Sequence, residues 1–152
     1  MVGLHPPIRP DFTPPAMIQV LLADDHPLVR SGLRTILESE PDLEVCAEAA
    51  DYGELIQRVS ATTDVIVTDF SMPGVGFKQA MSQVSERFPQ IPVVLISMCE
   101  EAELRAATQG LGAFGVLDKF KAATELAIAI RTVVAGHAYP RAADHLEDSS
   151  KA

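Results

Sequence analysis

The chain has 152 residues, enough for one domain whose core needs no disulfide or metal staple. Apolar residues make up 47% and charged residues 22%, the balance of a soluble globular protein. Twelve basic against 21 acidic residues leave a net charge of −9, which argues against direct DNA binding, because that rests on Lys and Arg neutralising phosphates. No apolar run approaches the roughly 18 residues needed to span a bilayer, and no signal peptide opens the chain. The expectation is a cytoplasmic protein with no membrane partner. Cys46 and Cys99 form no CxxC pair and read as reduced, partly buried thiols.

Leu4 to Pro15 holds five prolines, a density that no helix or central strand tolerates, so residues 1–16 read as an extended tail. Met17 to Ala23 is a short aliphatic run stopped by Asp24-Asp25-His26-Pro27, a buried strand entering a loop. Pro27 suits the first turn of a helix, and Val29, Leu33, Ile36 and Leu37 lie on one face of it. Leu43, Val45 and Ala47 alternate with Glu44, Cys46 and Glu48, the pattern of an edge strand with one wetter face. Asp51 can cap a helix running through Ser60. Val65-Ile66-Val67 is a third strand, ending at Thr68-Asp69, and Met72-Pro73-Gly74 is turn chemistry before a helix from about Phe77 to Arg87. Pro92 to Ile96 is a buried strand ending at Ser97, followed by a short helix over Glu101 to Gln109 with an acidic first turn. Phe114 to Leu117 is the fifth strand, leading to Lys119. Ala123 to Ala135 is the last helix, stopped by Gly136. Strands alternating with five helices predict an α/β, doubly wound parallel sheet covered on both faces.

In such a sheet the working residues collect at the carboxyl ends of the strands. Those ends carry Asp24 and Asp25, Asp69, Ser97 and Lys119. Each taken singly is an ordinary turn residue, strand-end hydroxyl or solvated lysine. Together they are specific, because they fall at the ends of four different strands. Three close carboxylates repel one another and call for a cation, and hard oxygens beside water and phosphate suit Mg²⁺. Lys119 adds a positive charge for a phosphoryl group, Ser97 a hydroxyl, and an aspartate can accept phosphate covalently. The residues therefore describe an acidic Mg²⁺ pocket that takes a phosphoryl group.

Val20-Leu21-Leu22-Ala23-Asp24-Asp25-His26-Pro27-Leu28-Val29-Arg30, Thr68-Asp69-Phe70-Ser71-Met72-Pro73-Gly74, Leu95-Ile96-Ser97-Met98 and Gly112 to Lys119 occur in that order. In these motifs the chain resembles the bacterial response-regulator receiver domains, most of all the NarL/FixJ (LuxR-type) class. The resemblance runs from Met17 to about Tyr139 and implies a flavodoxin-like (CheY-like) five-stranded sheet of order 2-1-3-4-5. It implies that Asp69 is the phosphoacceptor of a two-component system. It also implies that Asp25, Asp69 and the Ser71 backbone carbonyl ligate Mg²⁺ (or Mn²⁺), with Asp24 acting through water. Ser97 and Lys119 would contact the phosphoryl group, and the donor would be a sensor histidine kinase or phosphotransfer protein. A phosphorylation-enhanced homodimer follows from the same likeness.

Two departures stand out. Val116 occupies a position where the family commonly carries an aromatic ring that moves with the hydroxyl, so output would run by another route. The Gly74 to Phe77 loop is one residue shorter than the commonest pattern. The implied organisation is a proline-rich tail over 1–16, a receiver over 17–137, and a tail or linker start over 138–152. The helix-turn-helix domain that would link the receiver to transcription is not in this sequence. The alternatives are a stand-alone or phosphorylation-independent receiver acting as an interaction module, an aspartyl phosphatase, which wants a DxD pair rather than Asp24-Asp25, and a flavin carrier, whose phosphate those acids would repel. A serine hydrolase lacks its GxSxG elbow, and His26 reads as a loop residue rather than a base.

Overall fold

The short aliphatic runs of the sequence become the interior of a parallel sheet of order β2-β1-β3-β4-β5. In a computed structural model that describes residues 16–98 and 114–139, the elements are β1 (Ile18–Ala23), α1 (Pro27–Glu38), β2 (Leu43–Ala49), α2 (Tyr52–Arg58), β3 (Val65–Asp69), α3 (Phe77–Arg87), β4 (Val93–Ser97), β5 (Phe114–Asp118), a 3₁₀ turn (Lys119–Lys121) and α4 (Ala122–Val134). The proline-rich segment, Cys99, the helix expected over Glu101 to Gln109 and residues 140–152 lie outside the described residues.

β3 and β4 are buried at every position, because helices cover both faces of the sheet. On one face Leu33 and Leu37 of α1 and Leu126, Ala129, Ile130 and Val133 of α4 pack against Val20, Leu22, Val65, Val67, Val94 and Ile96. On the other, Tyr52 and Leu55 of α2 and Phe77, Ala80, Met81 and Val84 of α3 pack against Leu21, Ile66 and Leu95. The two helix pairs close a three-layer α/β/α sandwich.

β2 is the edge strand that the sequence leads one to expect, but it does not alternate throughout. Val20 pairs with Val45 and Leu21 with Ala47, so Cys46 is an extra residue, a β-bulge. Its thiol donates to the Val20 carbonyl at 3.4 Å. A one-residue shift exchanges the faces of a strand. Leu43 and Val45 accordingly join the α1–α4 core, whereas Ala47 and Ala49 join the α2–α3 core. Glu48 is thereby turned towards α1, where Arg30 and Arg34 bind it.

α2 begins as expected, with Asp51 accepting the Glu54 N–H at 2.8 Å and Glu54 accepting the Ala50 N–H at 2.7 Å. It ends at Arg58 rather than Ser60, because buried Val59 turns to extended backbone and Thr63 Oγ1 accepts the Ser60 N–H. At the other edge, Val116 N–H donates to the Tyr139 carbonyl at 2.8 Å, so the chain stays packed on the domain as far as Tyr139. Gly115 lets Val94 and Val133 pack closely on β5: a Cβ there would lie 3.2 Å from Val94 and 3.3 Å from Val133.

Candidate functional site

The strand order brings the ends of β1 and β3 side by side, with the ends of β4 and β5 following. Asp24 follows β1 and is fully buried, and Asp69 closes β3 at 4% exposure. Lys119, immediately after β5, reaches over to place Nζ 2.9 Å from Asp69 Oδ2 and 3.2 Å from Asp24 Oδ2. The other Asp69 oxygen, Oδ1, accepts the Ser71 N–H at 3.2 Å. Ser97 closes β4 and is buried. Asp25 completes the acidic group: ligand atoms of Asp24, Asp25, His26 and Asp69 all lie within 4.8 Å of one another. Asp24, Asp25, Asp69 and Lys119, picked out at the strand ends of the sequence, thus form one constellation, with Ser97 at the end of the neighbouring strand and Ser71 in the loop beyond Asp69.

Three carboxylates against one ammonium leave a formal excess of two negative charges, the charge a divalent cation cancels. Asp25 Oδ1 is buried with the exposed His26 ring 3.1 Å away, and Asp24 Oδ2 has the Lys119 charge 3.2 Å away, but neither oxygen accepts an aligned hydrogen bond. Buried carboxylate oxygens left in this state are free to ligate a cation. The residues fit a hard cation. Burial pulls the Lys119 pKa down, but the hydrogen bond and charge of Asp69, joined by the nearby Asp24 carboxylate, outweigh it and hold the pKa above its ordinary value. Lys119 therefore remains a cation at any working pH.

His26 sits closer to the acids than a plain loop residue. It occupies the N-cap position of α1 without a side-chain capping bond, its N–H donates to Asp24 Oδ1 at 2.8 Å, and its largely exposed ring lies 3.3 Å from Asp24 and 3.1 Å from Asp25.

Sequence reasoning missed two supporting residues. Arg30 donates to the Asp24 backbone carbonyl at 2.6 Å and to Glu48 at 2.9 Å, anchoring the loop that carries the acid pair. It stands in the first quoted motif, but its partner Glu48 is on this face only because of the bulge. Tyr52, at the start of α2, is 1% exposed and donates its hydroxyl proton to the Phe70 carbonyl at 2.6 Å, just beyond Asp69. Burial, with the charges of Asp69 and Asp25, pushes its phenol pKa well up, so it stays a donor. Nothing in a single sequence signals that contact.

Residues 20–131 match the family described as "Response regulator receiver domain". The chain belongs to that receiver family. The receiver is 37% identical over 125 residues to "Response regulator UvrY" of Escherichia coli K12, a match that covers 81% of this chain and 57% of UvrY. Among solved structures it is similar to a LuxR-family two-component response regulator from Aurantimonas sp. SI85-9A1, with a TM-score of 0.76 and 29% identity over 90% of this chain and 99% of that one. It is also similar to the Salmonella typhimurium RcsB response regulator, in a structure described by its conformational dynamism for DNA interaction, with a TM-score of 0.74 and 27% identity over 84% of this chain and 64% of that one. The likeness to a LuxR-family regulator rests on the Aurantimonas structure. The receiver spans a little over half the length of the curated relatives it matches. No helix among its described residues is long and apolar enough to cross a membrane.

Proposed function

We propose that the receiver accepts a phosphoryl group on Asp69 from the phosphohistidine of a sensor kinase or phosphotransfer protein, in the presence of Mg²⁺. The observation that carries this reading is the placement of Asp69: one carboxylate oxygen is held by the Ser71 N–H and the other by Lys119, beside two further carboxylates. Asp25, Asp69 and the Ser71 carbonyl would hold the cation, with Asp24 acting through water, and Mn²⁺ would serve in its place. When bound, the cation supplies positive charge against the oxygens of the transferred group. An Asp69 oxygen attacks phosphorus, the P–N bond breaks, and the donor imidazole keeps the electron pair. Lys119 then leaves its carboxylate pairing for a phosphoryl oxygen, and the Ser97 hydroxyl hydrogen-bonds another. The receiver is the acceptor in this step and not a conventional enzyme.

Further along this reading, the receiver expected over 17–137 takes in Tyr139 as well, whose carbonyl pairs with Val116, works in the cytoplasm, and associates with a second copy more strongly once phosphorylated. Its output is transcription, through a helix-turn-helix domain outside this sequence, as the RcsB structure described by its DNA interaction supports for that relative. Val116 is buried at 2% and carries no ring, so the output route does not depend on an aromatic side chain turning inward at that position.

Incubation with Mg²⁺ and acetyl phosphate, followed by intact-mass measurement, tests the reading. The expected result is a gain of one phosphoryl group that chelation of the metal prevents. No gain at saturating Mg²⁺ would overturn it.

A further inference from the structure

We propose that Tyr52 is a positioning residue for the phosphoacceptor, acting through the Phe70–Ser71 peptide group; the inference rests on the reading of Asp69 given above. The Phe70 carbonyl and the Ser71 N–H belong to one planar trans peptide and point in opposite directions. The carbonyl accepts the Tyr52 hydroxyl proton at 2.6 Å. The N–H of the same peptide donates to Asp69 Oδ1 at 3.2 Å. A hydroxyl on α2 thus sets the plane of the peptide that grips one oxygen of the acceptor. Donation to the carbonyl also polarises the amide and strengthens its N–H as a donor.

The contact is built rather than incidental. Tyr52 also donates its own N–H to the Pro73 carbonyl at 3.3 Å, so α2 holds the loop after β3 at two points. Gly74, which lies against the start of α2, holds φ at 106°, a backbone conformation that side-chain-bearing residues rarely adopt. The Tyr52 ring packs against Phe77 at 6.4 Å between centroids, and Phe77 against Phe70 at 5.3 Å, bracketing the loop with three aromatic rings. The neighbouring Asp69 carbonyl has the Thr68 hydroxyl at 3.0 Å besides Tyr52 at 3.2 Å. The Phe70 carbonyl is therefore the group on which the Tyr52 hydroxyl bears most directly.

Tyr52→Phe removes the hydroxyl and keeps the ring. Labelling by acetyl phosphate is followed by mass, with the maximal rate and the half-saturating donor concentration determined separately at saturating Mg²⁺. Leu55→Val, in the same helix and fully buried, is the control for lost stability. The expected result is a maximal rate about tenfold lower in Tyr52→Phe, with the half-saturating donor concentration unchanged, because a misaimed carboxylate loses rate rather than donor binding. The Ser71 amide proton should move upfield in the NMR spectrum of the same variant, and Leu55→Val should keep the wild-type rate and amide position. A wild-type rate in Tyr52→Phe with the Ser71 amide unmoved would overturn the inference, as would equal slowing in both variants. If wild type takes no label, the acceptor reading fails by itself, and the Ser71 amide still decides the Tyr52 contact.

Discussion

Replacing Lys119 with methionine, which keeps the length and loses the charge, is expected to lower the stability of the metal-free receiver by about 3 kcal/mol in urea unfolding. Lys119 is the cation beside Asp24 and Asp69, whose side chains are 0% and 6% exposed, and its own is 16% exposed. Removing one partner from a buried ion pair is costly because the charges left behind lose their counter-charge and cannot reach water. Added Mg²⁺ should restore part of the loss by bringing positive charge back to the cluster. The pH dependence follows from the raised pKa of Lys119. A lysine whose pKa rises on folding contributes stability that is complete below its ordinary value of 10.5 and is lost as pH climbs through the folded value. The gap between wild type and Lys119→Met should therefore be constant through neutral pH and close only in strong alkali. Labelling of the variant by acetyl phosphate should be about a hundredfold slower, as for other lost donors to a developing oxyanion.

The second large effect concerns the cation. Carboxylates about 5 Å apart repel by about 3 kcal/mol at an effective dielectric constant of 20, and the acidic group here lies within 4.8 Å. In chelator, Asp25→Asn should thus be at least as stable as wild type, having lost one member of that repulsion. With Mg²⁺ at a hundred times its dissociation constant, wild type should gain about 2.7 kcal/mol by mass action. The variant, short of one ligand, should gain little, so the order of stability reverses on adding metal. Urea titrations with and without Mg²⁺ check this, and an equal Mg²⁺ increment in both proteins would remove Asp25 from the cation site.

The parts of this site that the sequence disclosed share one property. Asp24, Asp25, Asp69, Ser97 and Lys119 each follow a short apolar strand, and in a parallel sheet the end of a strand fixes where a residue goes. What stayed hidden depends on departures from regular period or on contacts between distant elements. Strict alternation puts Glu48 on the outer face of β2, but the bulge at Cys46 swings it towards Arg30, and with it the support for the Asp24 loop. The end of α2 is hidden in the sequence because neither Val59 nor Ser60 is a glycine or proline; the Ser60–Thr63 hydrogen bond just beyond the helix is a local competition between side chain and backbone. Tyr52 looks like any apolar residue of an amphipathic helix until its hydroxyl is seen on the Phe70 carbonyl, 18 positions along the chain.

The central claim is that Asp69 carries the phosphoryl group, and locating the group on the labelled chain tests it most directly. Borohydride reduces an acyl phosphate on aspartate to homoserine, and tandem mass spectrometry of the digested protein then reads the position. The expected result is homoserine at position 69 alone, with no label taken up by Asp69→Asn. Homoserine at position 24 or 25, or labelling that persists in Asp69→Asn, would contradict the account.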